Sequence, residues 1–595
     1  MGALHRLPKP WTRAATLSGM DAEIFYVLVG AVLVAAVARW RGWPAPLLVT
    51  TAALAVSFVP FVPDLRVDGH LLLNLVLPPL LYSASLDVSF VGFTRSLPQI
   101  RRLGLGLVVV TTVAVGLVAW LLMPSLTLPG ALLLGAIVAP PDAVSAAAIG
   151  RRLGLPRRVM TVLSGESLIN DATSLTLYRV FAAIVAGATL AFADGLWQFA
   201  LAVGVGVGVG VVAGAGLHLL RMRISDPVVN GTFGLLAPFG VYGITEHLGG
   251  SGVLGVVAMG LVVGYNAPRT SYATRQQEAP LWLSADFLLE SFVFAYIGLQ
   301  LPRVLADLGE GGGGVLALSA AVLGVVLVVR PLFVYPASAW GQLWQRIRIR
   351  RWERAVAAGR VQDRVERVQR AHRRRGAPGR APTTDEVLRT RILEPRLSWR
   401  DNAVVSWAGM RGVVTLATAL AASDLAGLDQ AASHAIVVVA FVVTVGTLLL
   451  QGLTLPLLIG RLDIAGDDDA EEDARQLAQV RARTREAGKA YLAGRRAEWE
   501  AEHGSGSLER FDRFAGRMTR IEKDAEQSRA DEQRPRPSRE ELVDLSKGWL
   551  QVRRDVLIQE RDAGALNEEV KRELIVAMDA EELALDTRVD AHQER

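Results

Sequence analysis

The chain has 595 residues, a formal net charge of +5 and 51% hydrophobic residues, with no cysteine. Lacking cysteine, it has no disulfides, thiolate metal sites or cysteine nucleophiles. Long apolar runs are confined to residues 22–460, and the tail 461–595 holds 25 Lys+Arg against 33 Asp+Glu, so a basic, apolar body carries an acidic, polar tail. A basic excess in such a body points to the cytoplasmic loops of a membrane protein rather than to nucleic acid.

Residues 1–21 form an N-terminal segment without the apolar stretch and small-residue cleavage site of a signal peptide. The run that follows is therefore read as a retained helix. Apolar stretches near twenty residues predict spanning helices. Thirteen are found, at 22–41, 44–61, 70–88, 102–123, 131–149, 158–188, 194–220, 228–248, 251–265, 281–300, 315–340, 402–422 and 434–460. With the loop after the first helix inside, the short inner loops carry thirteen arginines and the short outer loops only Arg66 and Arg303. That bias predicts an N-terminus outside and a cytoplasmic C-terminus, in a multi-pass protein of the cell membrane.

In the seventh span, Gly204, Gly206, Gly208, Gly210, Gly214 and Gly216 create small-xxx-small spacings. These predict close helix packing, with a hinge as the alternative. Residues 341–400 form a cytoplasmic insert with seventeen arginines, no lysine and six acidic residues. Its charge is either solvated or set against anionic lipid, or it contacts the acidic tail. The tail reads as charged helices over 470–502 and 539–590, punctuated at Gly504–Ser507 and Arg534–Ser538. Its expected role is regulation or dimer support.

Charges within apolar runs carry the chemical signal. Asp142, Glu166, Asp171, Arg179, Glu290, Arg330 and Arg411 lie inside predicted spans. Left unpaired, they would cost roughly 20 kcal/mol together on the lenient insertion scale. They must pair or line a watery path. The sixth span holds the densest group, Gly165-Glu-Ser-Leu-Ile-Asn-Asp-Ala-Thr-Ser-Leu175. Ser167 and Asp171 are four apart on one helix face, and Glu166 and Asn170 on the next. A carboxylate, a hydroxyl and an amide oxygen suit a hard cation. In the fifth span, Pro140 and Pro141 break the helix before Asp142, whose charge offsets the dipole of the second half. In the twelfth, Gly409 and Gly412 flank Arg411 and predict a second break. Breaks seven helices apart fit inverted repeats of six helices separated by one.

At these motifs the chain resembles the sodium/proton exchanger group of monovalent cation:proton antiporters. Gly165–Leu175 resembles its Gly-Glu-Ser-Leu-x-Asn-Asp signature. Ala139–Ser145 is similar to its acidic break, Trp407–Gly412 to its Gly-Leu-Arg-Gly segment and Glu290–Gly298 to its Glu-x-x-x-Phe-x-x-x-Gly helix. Arg330 matches its eleventh-helix arginine. The resemblance covers roughly 22–460 and implies an all-α membrane fold of about thirteen helices, usually a homodimer. Helices four to six and eleven to thirteen would form a moving core. Asp171 would bind either cation or proton. Ser167 and the backbone at Pro141 would complete the cation shell, with Asn170 and Asp142 beside them. Arg330 would pair with Glu166, and Arg411 and Glu290 would support the site. Asn170, where some relatives carry a second aspartate, implies electroneutral exchange. Two departures stand out: Pro141 replaces a frequent threonine, and Ser83 stands at about the position where some members carry a third-helix glutamate.

The expected function is exchange of sodium, or another monovalent cation, for protons, serving pH homeostasis. The rule would be simple: Asp171 crosses loaded with cation or proton, and poorly when bare. The partners are lipid, monovalent cations, protons and a second copy of the chain, with no cofactor and no enzymatic activity. A cation channel gated by the tail is the alternative, although no repeated carbonyl filter is present. His70, His218, His247 and His434 are scattered and read as structural or interfacial, with pH sensing as the alternative.

Overall fold

A computed structural model describes residues 11–59, 67–188, 192–224, 226–308, 312–358, 366, 395, 397–464, 467–504, 508–519 and 539–593. The described residues contain helices and no strand. Much of the arginine-rich insert, Arg66, and the punctuation expected at 505–507 and 534–538 lie outside them.

In the apolar body, α1 is Trp11–Arg41 and α2 Ala45–Val56. The third, α3, runs Gly69–Asp87 through a π-helical stretch at Leu72–Val76. The fourth, α4, is Phe90–Leu122. The predicted fifth span divides into α5, Thr127–Val138, and α6, Ala143–Arg152. Then come α7 (Arg157–Val185), α8 (Phe192–Arg223), α9 (Pro227–His247), α10 (Gly252–Asn266) and α11 (Tyr272–Leu299). A short α12, Leu301–Asp307, precedes α13, Gly312–Ala357. The predicted twelfth span divides into α14 (Trp399–Trp407) and α15 (Val413–Ala422), and α16 is Gln430–Leu462. Both breaks fall where the sequence placed them, at the proline pair and at the glycine-flanked arginine.

Ten helices among the described residues are long and apolar enough to cross a membrane. Three shorter apolar ones are Ala45–Val56, Pro124–Val138 and Val413–Ala422. The count of thirteen holds if these three cross as well. The 46 residues of α13 extend on the order of 70 Å at helical rise, more than twice a bilayer core. Its last turns are therefore the arginine-rich start of the insert rather than part of a span.

The body contains two helix bundles. In the first, α1, α2, α3 and α8–α11 pack on one another. In the second, α4–α7 pack with α14–α16, and α13 joins them through Leu318, Val322 and Val326. Contacts across the boundary are sparse by comparison. The second bundle contains the same helices that the family resemblance assigned to a core.

The glycine tract resolves into two faces. A Cβ on Gly206, Gly210 or Gly214 would lie 2.8 Å from the Ser251 carbonyl, 2.2 Å from that of Gly255 and 3.0 Å from that of Met259. Gly204, Gly208 and Gly216 meet nothing within 4 Å. Close packing of α8 on α10 therefore explains the first three, and van der Waals contact is what holds such a pair in lipid.

Residues Ile347–Leu393 and Asp467–Arg595 form a separate compact unit. Its helices are α17 (Asp467–His503), α18 (Leu508–Thr519), α19 (Arg539–Asp562) and α20 (Glu568–Gln593). The stretch expected to be one helix over 539–590 turns at Gly564, whose φ of 71° suits glycine. The charged sequence conceals an apolar core that includes Val480, Trp499, Phe511, Trp549, Leu557 and Met578. Where α17 crosses α19, Gly488 lies under Trp549 and Gly548 under Tyr491. Arg554, largely buried, is held by Asp579 at 3.1 Å and by Glu582.

Candidate functional site

Proline lacks an N–H, so Pro140 and Pro141 cannot bond the Ala136 and Ile137 carbonyls, and Ser174 Oγ donates to the Ala136 carbonyl instead, at 2.8 Å. The helix stops there, so the Val138 and Ala139 carbonyls also lose their helical partners, and Arg411 replaces them. Its Nε donates to the Val138 carbonyl at 3.0 Å and its Nη2 to that of Ala139 at 3.3 Å. Its Nη1 donates to the Gly409 carbonyl in its own non-helical segment. The Arg411 N–H donates to Thr447 Oγ1 of α16 at 2.9 Å, and the Asp142 N–H donates to the Met410 carbonyl at 2.5 Å. The two breaks thus cross and satisfy one another, which is what lets non-helical backbone persist at membrane depth. A Cβ on Gly412 would lie 2.8 Å from Asp142, so the crossing admits only glycine there.

Glu166 and Arg330 form the expected ion pair. The guanidinium grips the carboxylate through two bonds, of 2.6 and 3.0 Å, and both side chains are at least 97% buried. Arg330 Nε also donates to the Val405 carbonyl at 2.9 Å. A second pair, Arg158 to Asp401 at 2.8 Å, ties the start of α7 to α14. There Asp401 also forms a capping box with Ser398.

Beside the Glu166–Arg330 pair is a crevice lined by Pro141, Leu163, Ser167, Asn170 and Ala408 together with the pair itself. Three of the expected cation-site residues, Pro141, Ser167 and Asn170, therefore converge. Asn170 Nδ2 donates to the Pro141 carbonyl at 3.2 Å. Its Oδ1 is buried and has no hydrogen-bond partner among the described residues. Asp171 is 7% exposed and lies outside this lining. Its electrostatic neighbour is Asp142, whose Oδ2 accepts from Ser145 at 2.8 Å. Asp171 itself has no hydrogen bond or ion pair among the described residues. Glu290 lies apart from the crevice, within electrostatic range of Asp142, Asp286 and Arg151.

Asp286 was not among the expected site residues. Its Oδ1 accepts from Ser83 Oγ at 2.6 Å, joining α11 to α3. The available signal was spacing, because Asp286 and Glu290 are four apart on one helix. Ser83, which lacks the glutamate of some relatives, thus has a carboxylate against it from another helix.

The family model described as "Sodium/hydrogen exchanger, transmembrane" matches residues 24–460. The chain belongs to the sodium/hydrogen exchanger family. Among its relatives is an uncharacterised Na+/H+ exchanger of Mycobacterium tuberculosis, 31% identical over 96% of this chain and 98% of that one. The Na+/H+ antiporter ApNhaP of Aphanothece halophytica is 29% identical over 72% of this chain and 71% of its own. In fold, this exchanger matches the sodium proton antiporter MjNhaP1 of Methanocaldococcus jannaschii. That match has a TM-score of 0.54 and 17% identity, covering 75% of this chain and 99% of that one. The exchanger is a multi-pass membrane protein, and its family transports cations and protons.

Proposed function

We propose that this exchanger swaps sodium, or another monovalent cation, for protons by competition of the two at Asp171. The observation that carries the reading is a buried Asp171, without a hydrogen bond or ion pair among the described residues, beside the crossing of two broken helices. A bare carboxylate in that position is penalised by desolvation, whereas a proton or a cation neutralises it. Ser167, the Asn170 amide oxygen and the Pro141 carbonyl are oxygen donors of the kind a hard cation takes. The Pro141 carbonyl is engaged by Asn170 Nδ2, so cation entry would require that amide to turn.

The second bundle would shift against the first to expose Asp171 alternately, in the cell membrane, with the N-terminus outside and the tail inside. The Asn170-Asp171 pair supports electroneutral exchange. The protein would act as a homodimer in pH homeostasis, and the tail would regulate it. The test is proton flux in proteoliposomes across sodium, lithium and potassium gradients, with and without residues 461–595. Cation-driven flux, in a fixed order of preference, is expected. Ion conductance without proton coupling would defeat the reading in favour of a channel.

A further inference from the structure

Arg179 lies in an apolar run, yet the cation site does not use it. It sits on α7, eight residues beyond Asp171, or about 12 Å along the helix. Its Nη2 pairs with Glu246 Oε1 near the end of α9, and its Nη1 donates to the Gly250 carbonyl at 3.3 Å. The same Glu246 oxygen accepts the Gly252 N–H at 2.8 Å, where α10 begins. The Ser251 N–H donates to the Ala202 carbonyl of α8 at 2.9 Å, anchoring this turn to its own bundle. One guanidinium thus joins the helix that carries Asp171 to α9 and to the turn between α9 and α10, across the sparse boundary between the bundles. The turn, Leu248-Gly-Gly-Ser251, has no basic residue and lies at the opposite end from the arginine-bearing loops.

We propose that Arg179, Glu246 and the Gly250 carbonyl form a latch that holds the arginine-poor side of the exchanger closed and must open when Asp171 faces that side. The inference rests on the alternating-access reading. The side chains of Arg179 and Glu246 are 38% and 29% exposed. Water and salt therefore weaken the pair, which makes it releasable where the dry Glu166–Arg330 pair is fixed. A two-state device needs a bias of this modest size, because a strong one would trap a single state.

The chain has no cysteine, so one introduced thiol reports alone. Leu175 lies one turn deeper than Arg179 and is 4% exposed. In an L175C parent, reconstituted in one orientation, labelling by an impermeant maleimide from the arginine-poor side reads how often that side opens. Glu246→Gln and Arg179→Gln should each speed labelling about threefold to fivefold, the range of a part-exposed ion pair. The exchanged pair, Arg179→Glu with Glu246→Arg, should return the rate to within about twofold of the parent. Unchanged labelling in the single variants, or a swap that fails to restore it, would overturn the latch. Should the single variants not fold, choline chloride added to the parent decides: labelling that rises with ionic strength supports the latch and a flat response refutes it. Failure here with sodium-driven flux intact leaves the function standing. Loss of coupling in the unmodified protein would remove the function first.

Discussion

Replacing Asp171 with asparagine abolishes cation-driven proton flux in proteoliposomes, to the level of empty vesicles, while the helices remain folded. The substitution keeps the shape and removes the charge. Asp171 accepts no hydrogen bond among the described residues, so no donor is stranded when the carboxylate becomes an amide. Thermal stability should be unchanged or slightly higher, because an uncompensated buried charge is removed. Flux and melting measured on the same preparation separate loss of transport from loss of structure. Persistent exchange in Asp171→Asn would refute competition at this carboxylate, whatever the remaining site residues do.

Glu166→Gln should have the largest effect on stability. The carboxylate is closed off from solvent, and its conversion to an amide leaves Arg330 charged and buried with only neutral acceptors, the glutamine oxygen and the Val405 carbonyl. Breaking a buried pair on one side costs about 3–5 kcal/mol. A Cβ on Gly409 would lie 2.6 Å from Arg330 Cδ, so the backbone leaves the guanidinium little room to retreat. Replacing both partners with apolar residues, Glu166→Leu and Arg330→Met, should recover most of the loss, since no bare charge remains. Denaturation midpoints of the single and double variants test this. A Glu166→Gln variant as stable as the parent would show that the pair is not the fastening of the second bundle.

Much of this was legible in the sequence, for identifiable reasons. Pro140, Pro141 and the glycines around Arg411 disrupt backbone bonding locally, so both breaks could be placed from a few residues. The Glu166–Arg330 pair was reached through family motifs, since 164 positions separate its members and no local rule joins them. Asp286 escaped because its partner Ser83 is 203 residues away and a serine carries no charge signal. The tail was read as charged helices because its core residues are spaced among salt-bridging ones. Trp549 and Trp499 reveal an interior only when α17 and α19 are brought together. Arg179 could be flagged as costly, but its partner Glu246 sits at a span end, where acidic residues are common.

The fixed charges of the second bundle also bear on how it meets the membrane voltage. Arg179, Arg330 and Arg411 lie in that bundle with Asp142, Glu166 and Asp171. A proton and a sodium ion each add the same single positive charge to Asp171, so the outward and return crossings would carry equal charge and a one-for-one cycle would move none across the membrane. A potassium diffusion potential imposed on the vesicles should therefore drive no net exchange, and exchange driven by the potential alone would mean that this charge balance is incomplete. With the balance complete, the exchanger would answer to the two chemical gradients alone, and a change in the cell's electrical state would neither drive it nor stall it.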